Sequence, residues 1–343
     1  MGEVSINFDL SAVWDLPKGT FAQPMEHGGY NNQLYRVDAK GEPPMVLRVY
    51  GNHANPKYIQ HELTVLYLLQ QHKLPFALPI PIPTKRGEMW GNVVNGSTRQ
   101  LMVMIPFIPG ANPIPTNLEQ TTAAAEALAC LLEALKKIEV QGVRSPSPYN
   151  ELGLVHPLIP EPLEAAAHLG SLLEADKRNR LQAILTHVVE ASDKIYTRLP
   201  HQLTHSDFIT GNILMDGPKV TGILDFEFCA PNPRVMDFAI ALDMWTWDVY
   251  GTGNEWERVD ALVRGFSRII KLNEEEIRAI PTLILLRNAG VLMHVIGRFV
   301  ANLSPYVDVE MWLDAMLTVD AWLTLNGRKL VERVLGKRLE IRD

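Results

Sequence analysis

Within Leu203–Phe228, reading LTHSDFITGNILMDGPKVTGILDFEF, His205, Asp207 and Asn212 fall in a compact polar turn, and Asp225 follows an apolar run. Side chains of these types in that order suit phosphoryl transfer. That reaction needs one carboxylate to orient an attacking hydroxyl and further oxygens to hold Mg²⁺ on a nucleotide. Asp207 is the residue expected to orient the hydroxyl and accept its proton late in the reaction. His205 joins it as a brace for the loop through hydrogen bonds rather than as a proton carrier. Asn212 and Asp225 offer the neutral and anionic hard oxygens that Mg²⁺ prefers. Glu227 lies on the same side as Asp225 if the strand continues, which makes it a candidate support for the metal or its waters. The rival account is a surface turn rich in Asp and Asn between two strands; it requires order, spacing and apolar framing to coincide by chance.

A site of this kind needs a nucleotide platform, and the first hundred residues read as β-rich. Leu34–Val37 and Met45–Tyr50 are short apolar runs separated by the turn-like AKGEPP, which predicts a hairpin. Upstream, Gly28, Gly29, Tyr30 and Asn31 form a glycine-bearing turn where backbone N–H groups can approach phosphates closely. Arg48 in the second strand is a cation able to pair with those phosphates, and Glu62 on the following helix can fix its position. The alternative for Arg48 and Glu62 is an ordinary ion pair that stabilises the lobe. Lys57–His72 carries Ile59, Leu63, Leu66 and Leu69 at helical spacing, then the proline-rich Leu74–Pro83 stops the helix. Two more strands are expected at Gly91–Val94 and Gln100–Ile105. Pro106–Pro115 holds four prolines and Gly110 and suits a connection between lobes. There the Pro106 carbonyl and the Ile108 N–H can serve the acceptor and donor needs of an adenine ring.

Beyond the connection the pattern turns helical: Leu118–Glu139 after an Asn117 N-cap, then Pro162–Leu199, Asn232–Tyr250, Glu255–Ile270, Glu274–Leu303 and Val309–Leu335. The fold class expected is therefore α+β. A small antiparallel β N-lobe for the nucleotide spans residues 1–105, and a larger, mainly helical C-lobe for catalysis and acceptor binding spans 106–343, with 106–115 as hinge.

The acceptor side is read from later residues. Trp245, Trp247 and Tyr250 form an aromatic group that either walls a substrate pocket or belongs to the core. Asp237 either caps a loop near the site or favours a helix N-terminus. Arg287, Val291, His294 and Arg298 share one face of an otherwise apolar helix. Such a basic stripe needs anionic partners, either acidic side chains or the carboxylate of a small substrate held by Arg287 or Arg298.

Composition narrows the classes further. With 343 residues and 47% hydrophobic content the chain can bury a substantial core. A formal net charge of −7 gives no reason to expect a nucleic-acid partner. Cys130 and Cys229 are too few for a disulfide framework. The amino terminus lacks the pattern of a signal peptide, and Ile6 stands where a myristoylation motif wants Ser or Thr. Ile280–Ala301 is interrupted by Pro281, Arg287, His294 and Arg298, which argues against a membrane span. A cytoplasmic protein with no membrane partner is expected, and the oligomeric state is left open.

The segments HSDFITGN and ILDFEF resemble the catalytic and metal-binding motifs of the aminoglycoside phosphotransferases and choline kinases. Within that group the chain is most similar to the type II homoserine kinase branch. The similarity runs through VLRVY, YIQHELTVLYLL, LPIPIP, DMWTWDVYGTG and VRGFSRIIKLNEEEIRAIPTLILLRNAG to Arg298, and so covers most of the sequence. It implies a bilobal kinase-like fold, use of ATP and Mg²⁺, and phosphorylation of a small-molecule hydroxyl. Catalytic duty passes to Asp207 and metal binding to Asn212 and Asp225. Two departures stand out: Arg48 occupies a place where kinases usually have Lys, and the residues between Asp207 and Asn212 differ from those common in homoserine kinases. Homoserine or a similar amino alcohol or amino acid is the acceptor expected. An aminoglycoside, a choline-type amine, or a pseudokinase that binds nucleotide without turnover are the alternatives.

Overall fold

The computed structural model describes residues 9–25, 32–51, 55–95, 98–141 and 149–340. Gly28, Gly29, Tyr30 and Asn31, the expected phosphate turn, lie outside the described residues. The amino-terminal part is a five-stranded antiparallel sheet in the order β1-β2-β3-β5-β4, with β1 at Ala22–Pro24, β2 at Asn32–Val37, β3 at Met45–Tyr50, β4 at Gly91–Asn95 and β5 at Thr98–Pro106. Central β3, MVLRVY, is buried at every position, because both its faces are covered. Met45, Leu47 and Val49 pack with Leu10, Trp14, Met102 and Met104 on one face. The two-residue period turns Arg48 and Tyr50 to the other face, where α1 (Pro56–Leu69) lies with Ile59 and Leu63. Asn55 caps α1 by accepting the Lys57 N–H, and Pro56 occupies the first turn, where its missing N–H costs nothing.

The carboxy-terminal body is mainly helical: α2 (Leu118–Leu135), α3 (Ala175–Ile195), α4 (Val235–Met244), α5 (Glu255–Ser267), α6 (Glu274–Val300) and α7 (Tyr306–Glu340). Asn117 caps α2 through the Glu119 and Gln120 amides. The continuous helical pattern expected over Pro162–Leu199 breaks at Gly170 (φ 53°) into a 3-10 segment, Pro162–Leu172, followed by α3. Helix α6 opens with a capping box, Asn273 against Glu276, and 78% of its most apolar window is buried among the other helices, as befits a core helix. Two small two-stranded sheets, β6 (His201–Thr204) with β9 (Ala230–Pro233) and β7 (Ile213–Asp216) with β8 (Lys219–Ile223), frame the polar turn. Asn232, expected to begin a helix, instead sits in β9 opposite Gln202, and the helix starts at Val235 after Pro233. The pairing with β6 outweighs the helical periodicity because it buries Asn232 among hydrogen-bond partners.

Candidate active site

The polar turn is built by strain held from several sides. Ser206 (φ 69°) and Asp225 (φ 62°) are non-glycine residues in the left-handed region, a costly conformation that persists where surrounding contacts over-determine it. Asp237, completely buried at the start of α4, accepts the His205 and Ser206 N–H groups, each at 2.7 Å. Burial pushes its carboxyl up to about 6 despite the neighbouring His205 and these two amides. Of the two roles open to Asp237, holding the polar turn is the one its hydrogen bonds serve. His205 is equally buried; its Nε2–H donates to the Leu224 carbonyl (2.8 Å), so Nδ1 is left to accept the Asp207 N–H at 3.3 Å. Burial lowers its pKa, which keeps the ring neutral. Both nitrogens are engaged with the backbone, so His205 ties the Asp207 strand end to the Asp225 strand end.

Asp207 accepts the Asn212 amide at 2.9 Å on Oδ2, and the same amide group donates to the Asp207 carbonyl at 2.9 Å. With its N–H groups turned toward Asp207, Asn212 has its carboxamide oxygen available on the other side. The other Asp207 oxygen lies 3.7 Å from the Arg287 guanidinium of α6. Burial raises the Asp207 pKa, Arg287 and Asn212 oppose that shift, and Asp225 adds to it.

Across the cleft, Arg48 forms an ion pair with Glu62 at 2.7 Å, and the Tyr50 hydroxyl donates to the other Glu62 oxygen at 2.9 Å. Arg48 also lies 3.6 Å from Asp225 Oδ1. Burial opposes its charge, but Glu62 and Asp225 outweigh that and hold the guanidinium firmly protonated. Asp225 Oδ1 is buried and accepts no hydrogen bond among the described residues. A buried carboxylate oxygen left without a donor fits a cation, which completes it without needing an N–H. No cluster of three His, Cys, Asp or Glu side chains able to hold a metal exists among the described residues. Glu227 does not reach the site by continuing a strand: β8 ends at Ile223, residues 227–228 form a turn, and Glu227 instead accepts the Asn32 amide of β2 at 3.2 Å.

In the connection after β5, the Phe107 N–H donates to the Pro44 carbonyl at 3.0 Å. Strand β4 pairs with β5 only as far as the Gly91–Met102 pair, so residues 103–106 extend past its end toward the connection. The connection is then pinned to the polar turn. Asn112 donates to the Thr210, Gly211 and Ile213 carbonyls at 3.2, 3.1 and 3.0 Å, and Ala111 exchanges backbone bonds with Met215.

The expected acceptor residues separate. Trp245 is completely buried and stacks near Phe208 beneath the turn, so it has no surface to offer a ligand. Trp247 is 54% exposed on a short 3-10 turn. Tyr250 stacks on Trp322 and donates to Asp243. Arg287 reaches Asp207, but Arg298 is eleven residues farther along α6, roughly 16 Å on the helix axis. Its guanidinium instead donates to Ser304 Oγ and the Leu303 carbonyl, bracing the turn into α7. His294, between them, faces His156 at 6.2 Å and is pushed down to about 4 by burial, Arg298 and His156. The sequence reading missed Asn112 and the hub at Asn232, whose Oδ1 accepts the Tyr149 N–H and the Tyr196 hydroxyl; an Asn within the proline-rich connection was the available signal for the first.

The model of the phosphotransferase enzyme family matches residues 23–266. The homoserine kinase of Zymomonas mobilis is 25% identical over 263 residues, covering 76% of this chain and 75% of that protein. The homoserine kinase of Beijerinckia indica is 24% identical over 291 residues, covering 84% and 83%. Among solved structures, a microcompartment-associated aminopropanol kinase superposes with a TM-score of 0.70 at 18% identity, covering 96% of each chain. An amicoumacin kinase in complex with AMP-PNP, Ca²⁺ and its ligand superposes with a TM-score of 0.65 at 15% identity, covering 86% and 88%. With Asp207, Asn212 and Asp225 brought to one cleft and that match spanning both the sheet and the polar turn, the chain belongs to the phosphotransferase enzyme family and is a kinase of small-molecule hydroxyl groups.

Proposed function

We propose that this kinase transfers the γ-phosphoryl group of Mg-ATP to the hydroxyl of a small amino alcohol or amino acid that carries an anionic group, with homoserine the first acceptor to test. The observation that carries this reading is Arg287. Its side chain is 4% exposed, lies 3.7 Å from Asp207, and has its Nε buried without a partner among the described residues. A cation next to the carboxylate that would receive the acceptor's proton suits an acceptor carboxylate and repels a polycationic aminoglycoside. The homoserine kinases at about a quarter identity point the same way. A choline-type amine is itself cationic and is disfavoured by the same Arg287 charge, and Trp245, sealed in the core, cannot face it.

In this reading Asp207 accepts a hydrogen bond from the acceptor hydroxyl and takes its proton as the oxygen–phosphorus bond forms and the bond to the departing ADP oxygen breaks. The raised pKa of Asp207 makes it a better proton acceptor than an exposed aspartate. Asn212 and Asp225 would hold Mg²⁺, which supplies charge neutralisation on the phosphates. Arg48, fixed by Glu62, presents a forked cation to the nucleotide, and Pro106 and Ile108 meet the adenine edge. Residues 1–105 form the nucleotide lobe, 106–115 the hinge, and 106–343 the catalytic and acceptor lobe.

The test is Mg-ATP turnover against homoserine, aminopropanol, choline, neutral sugars and aminoglycosides. A kcat/KM for homoserine or another carboxylate-bearing hydroxy acid at least tenfold above the rest is expected. Preference for an aminoglycoside or choline would overturn the reading.

A further inference from the structure

We propose that Tyr149 is a positioning residue for catalysis: its hydroxyl grips the Ser206 carbonyl and so fixes the peptide plane that carries Asp207. This rests on Asp207 being the catalytic carboxylate. The Tyr149 hydroxyl donates to the Ser206 oxygen at 2.6 Å, and its backbone N–H donates to Asn232 Oδ1 at 3.1 Å. The Ser206 carbonyl belongs to the planar unit that ends in the Asp207 N–H. That N–H is directed at His205 Nδ1 at 3.3 Å. The plane is thus held at its oxygen by Tyr149 and at its N–H by His205, which leaves Asp207 little freedom to swing about the backbone.

The grip matters because Ser206 is in the left-handed region and would otherwise relax. Three sets of contacts oppose relaxation. Asp237 holds the Ser206 N–H, Asn232 Nδ2 donates to Ser206 Oγ at 3.0 Å with Thr204 Oγ1 at 2.9 Å, and Tyr149 holds the carbonyl. Of these holders Tyr149 alone comes from outside the β6–β9 and α4 framework. Its ring packs on Gly290 of α6, 3.4 Å from where a Cβ would stand, one turn after Arg287. Burial pushes the hydroxyl pKa up, with the Arg287 charge opposing it, so the group stays a donor at any working pH. Tyr149 therefore touches the helix that presents Arg287 and the turn that presents Asp207, and sets one relative to the other.

The experiment compares Tyr149→Phe, Ser206→Ala and the double variant in kcat, nucleotide KM and Tm, using homoserine or the best acceptor of the panel. Tyr149→Phe keeps the ring and loses one hydrogen bond, so the variant folds. The expected result is a kcat lowered roughly tenfold or more with nucleotide KM within twofold, since small misplacements of a catalytic group cost disproportionately. The double variant should lose more than the product of the single losses, because Ser206→Ala removes the Oγ contacts and leaves only the Asp237 bond to the residue 206 N–H to hold the turn. A Tyr149→Phe kcat within twofold of the parent, or a strictly multiplicative double variant, would overturn the proposal. Asp207→Asn separates the two levels. If it keeps turnover, the catalytic reading itself fails; if it is inactive while Tyr149→Phe is fully active, the positioning role alone fails.

Discussion

Arg287 and Asp237 carry opposite burdens at the same turn, and each gives a measurable consequence. Arg287 faces Asp207 on one side, Met244 Sδ at 3.2 Å on another, and the Trp312 ring at 5.8 Å. Replacing it by Ala removes the cation proposed to hold the acceptor while the nucleotide side keeps its residues. Acceptor KM should rise at least tenfold while nucleotide KM stays within twofold; steady-state kinetics with each substrate varied in turn decides it, and an unchanged acceptor KM sinks the idea. Asp237 has a carboxyl raised from its ordinary 3.8 to about 6 by burial. Between those values the folded protein holds a proton that the unfolded chain has released. Its contribution to stability is therefore full below about pH 4 and is lost as pH rises through 6, by on the order of 3 kcal/mol. Chemical denaturation of the wild type and Asp237→Asn across pH 4–7 should show the wild type's stability relative to the variant falling with rising pH and levelling above 6. A pH-independent difference would contradict the assignment.

At the scale of elements, the helices set the spacing and the glycines set how closely they approach. Gly265 on α5 lies against α2 so tightly that a Cβ would collide with the Thr122 carbonyl and press on Ala125. Gly265→Ala should destabilise the protein by about 1–3 kcal/mol, read as a lowered Tm, with both KM values unchanged in the folded enzyme. Gly110 in the connection after β5 is different. It has φ 150°, and a Cβ there would approach Thr221 Oγ1 and Leu214 of the β7–β8 hairpin. Gly110→Ala should therefore raise nucleotide KM as well as lower Tm, because the strand edge bearing Pro106 and Ile108 must move. Elements with strong local signals were legible: Met45–Tyr50 is a strand as read, and α1, α2, α5 and α6 begin within a few residues of their expected starts. The pieces that were not legible are short. β6 and β9 are four residues each and gain their stability from pairing with distant partners, which no local pattern records.

At the scale of the whole molecule, contacts across the cleft join the sheet to the helical body: Asn32 to Glu227, Arg48 to Asp225, and His61 Nε2 to the Cys229 carbonyl at 2.9 Å. All three fall within the Asp225–Cys229 segment that follows β8 and opens with the carboxylate proposed to hold Mg²⁺. A nucleotide with Mg²⁺ bridging the same gap should raise Tm by ligand linkage, and Asp225→Asn should abolish the Mg²⁺-dependent part of the shift while leaving the metal-free shift in place. Thermal denaturation with AMP-PNP, with and without Mg²⁺, gives the answer; an intact Mg²⁺ effect in the variant would remove Asp225 from the metal site. By itself, the sequence determined the reaction class, because oxygen-bearing side chains at a fixed spacing between apolar strands are a local property. Asp207, Asn212, Asp225, Arg48 and Glu62 were all named from it. Tertiary structure alone decided which distant groups meet them. It brought Arg287 to Asp207 but sent Arg298 to the α6–α7 turn, drew Trp245 into the core, and assembled Tyr149, Asn232 and Asp237 around Ser206. Side chains far apart in sequence are placed by packing and by the demand that every buried polar group find a partner, and neither is written in the spacing of residues along the chain.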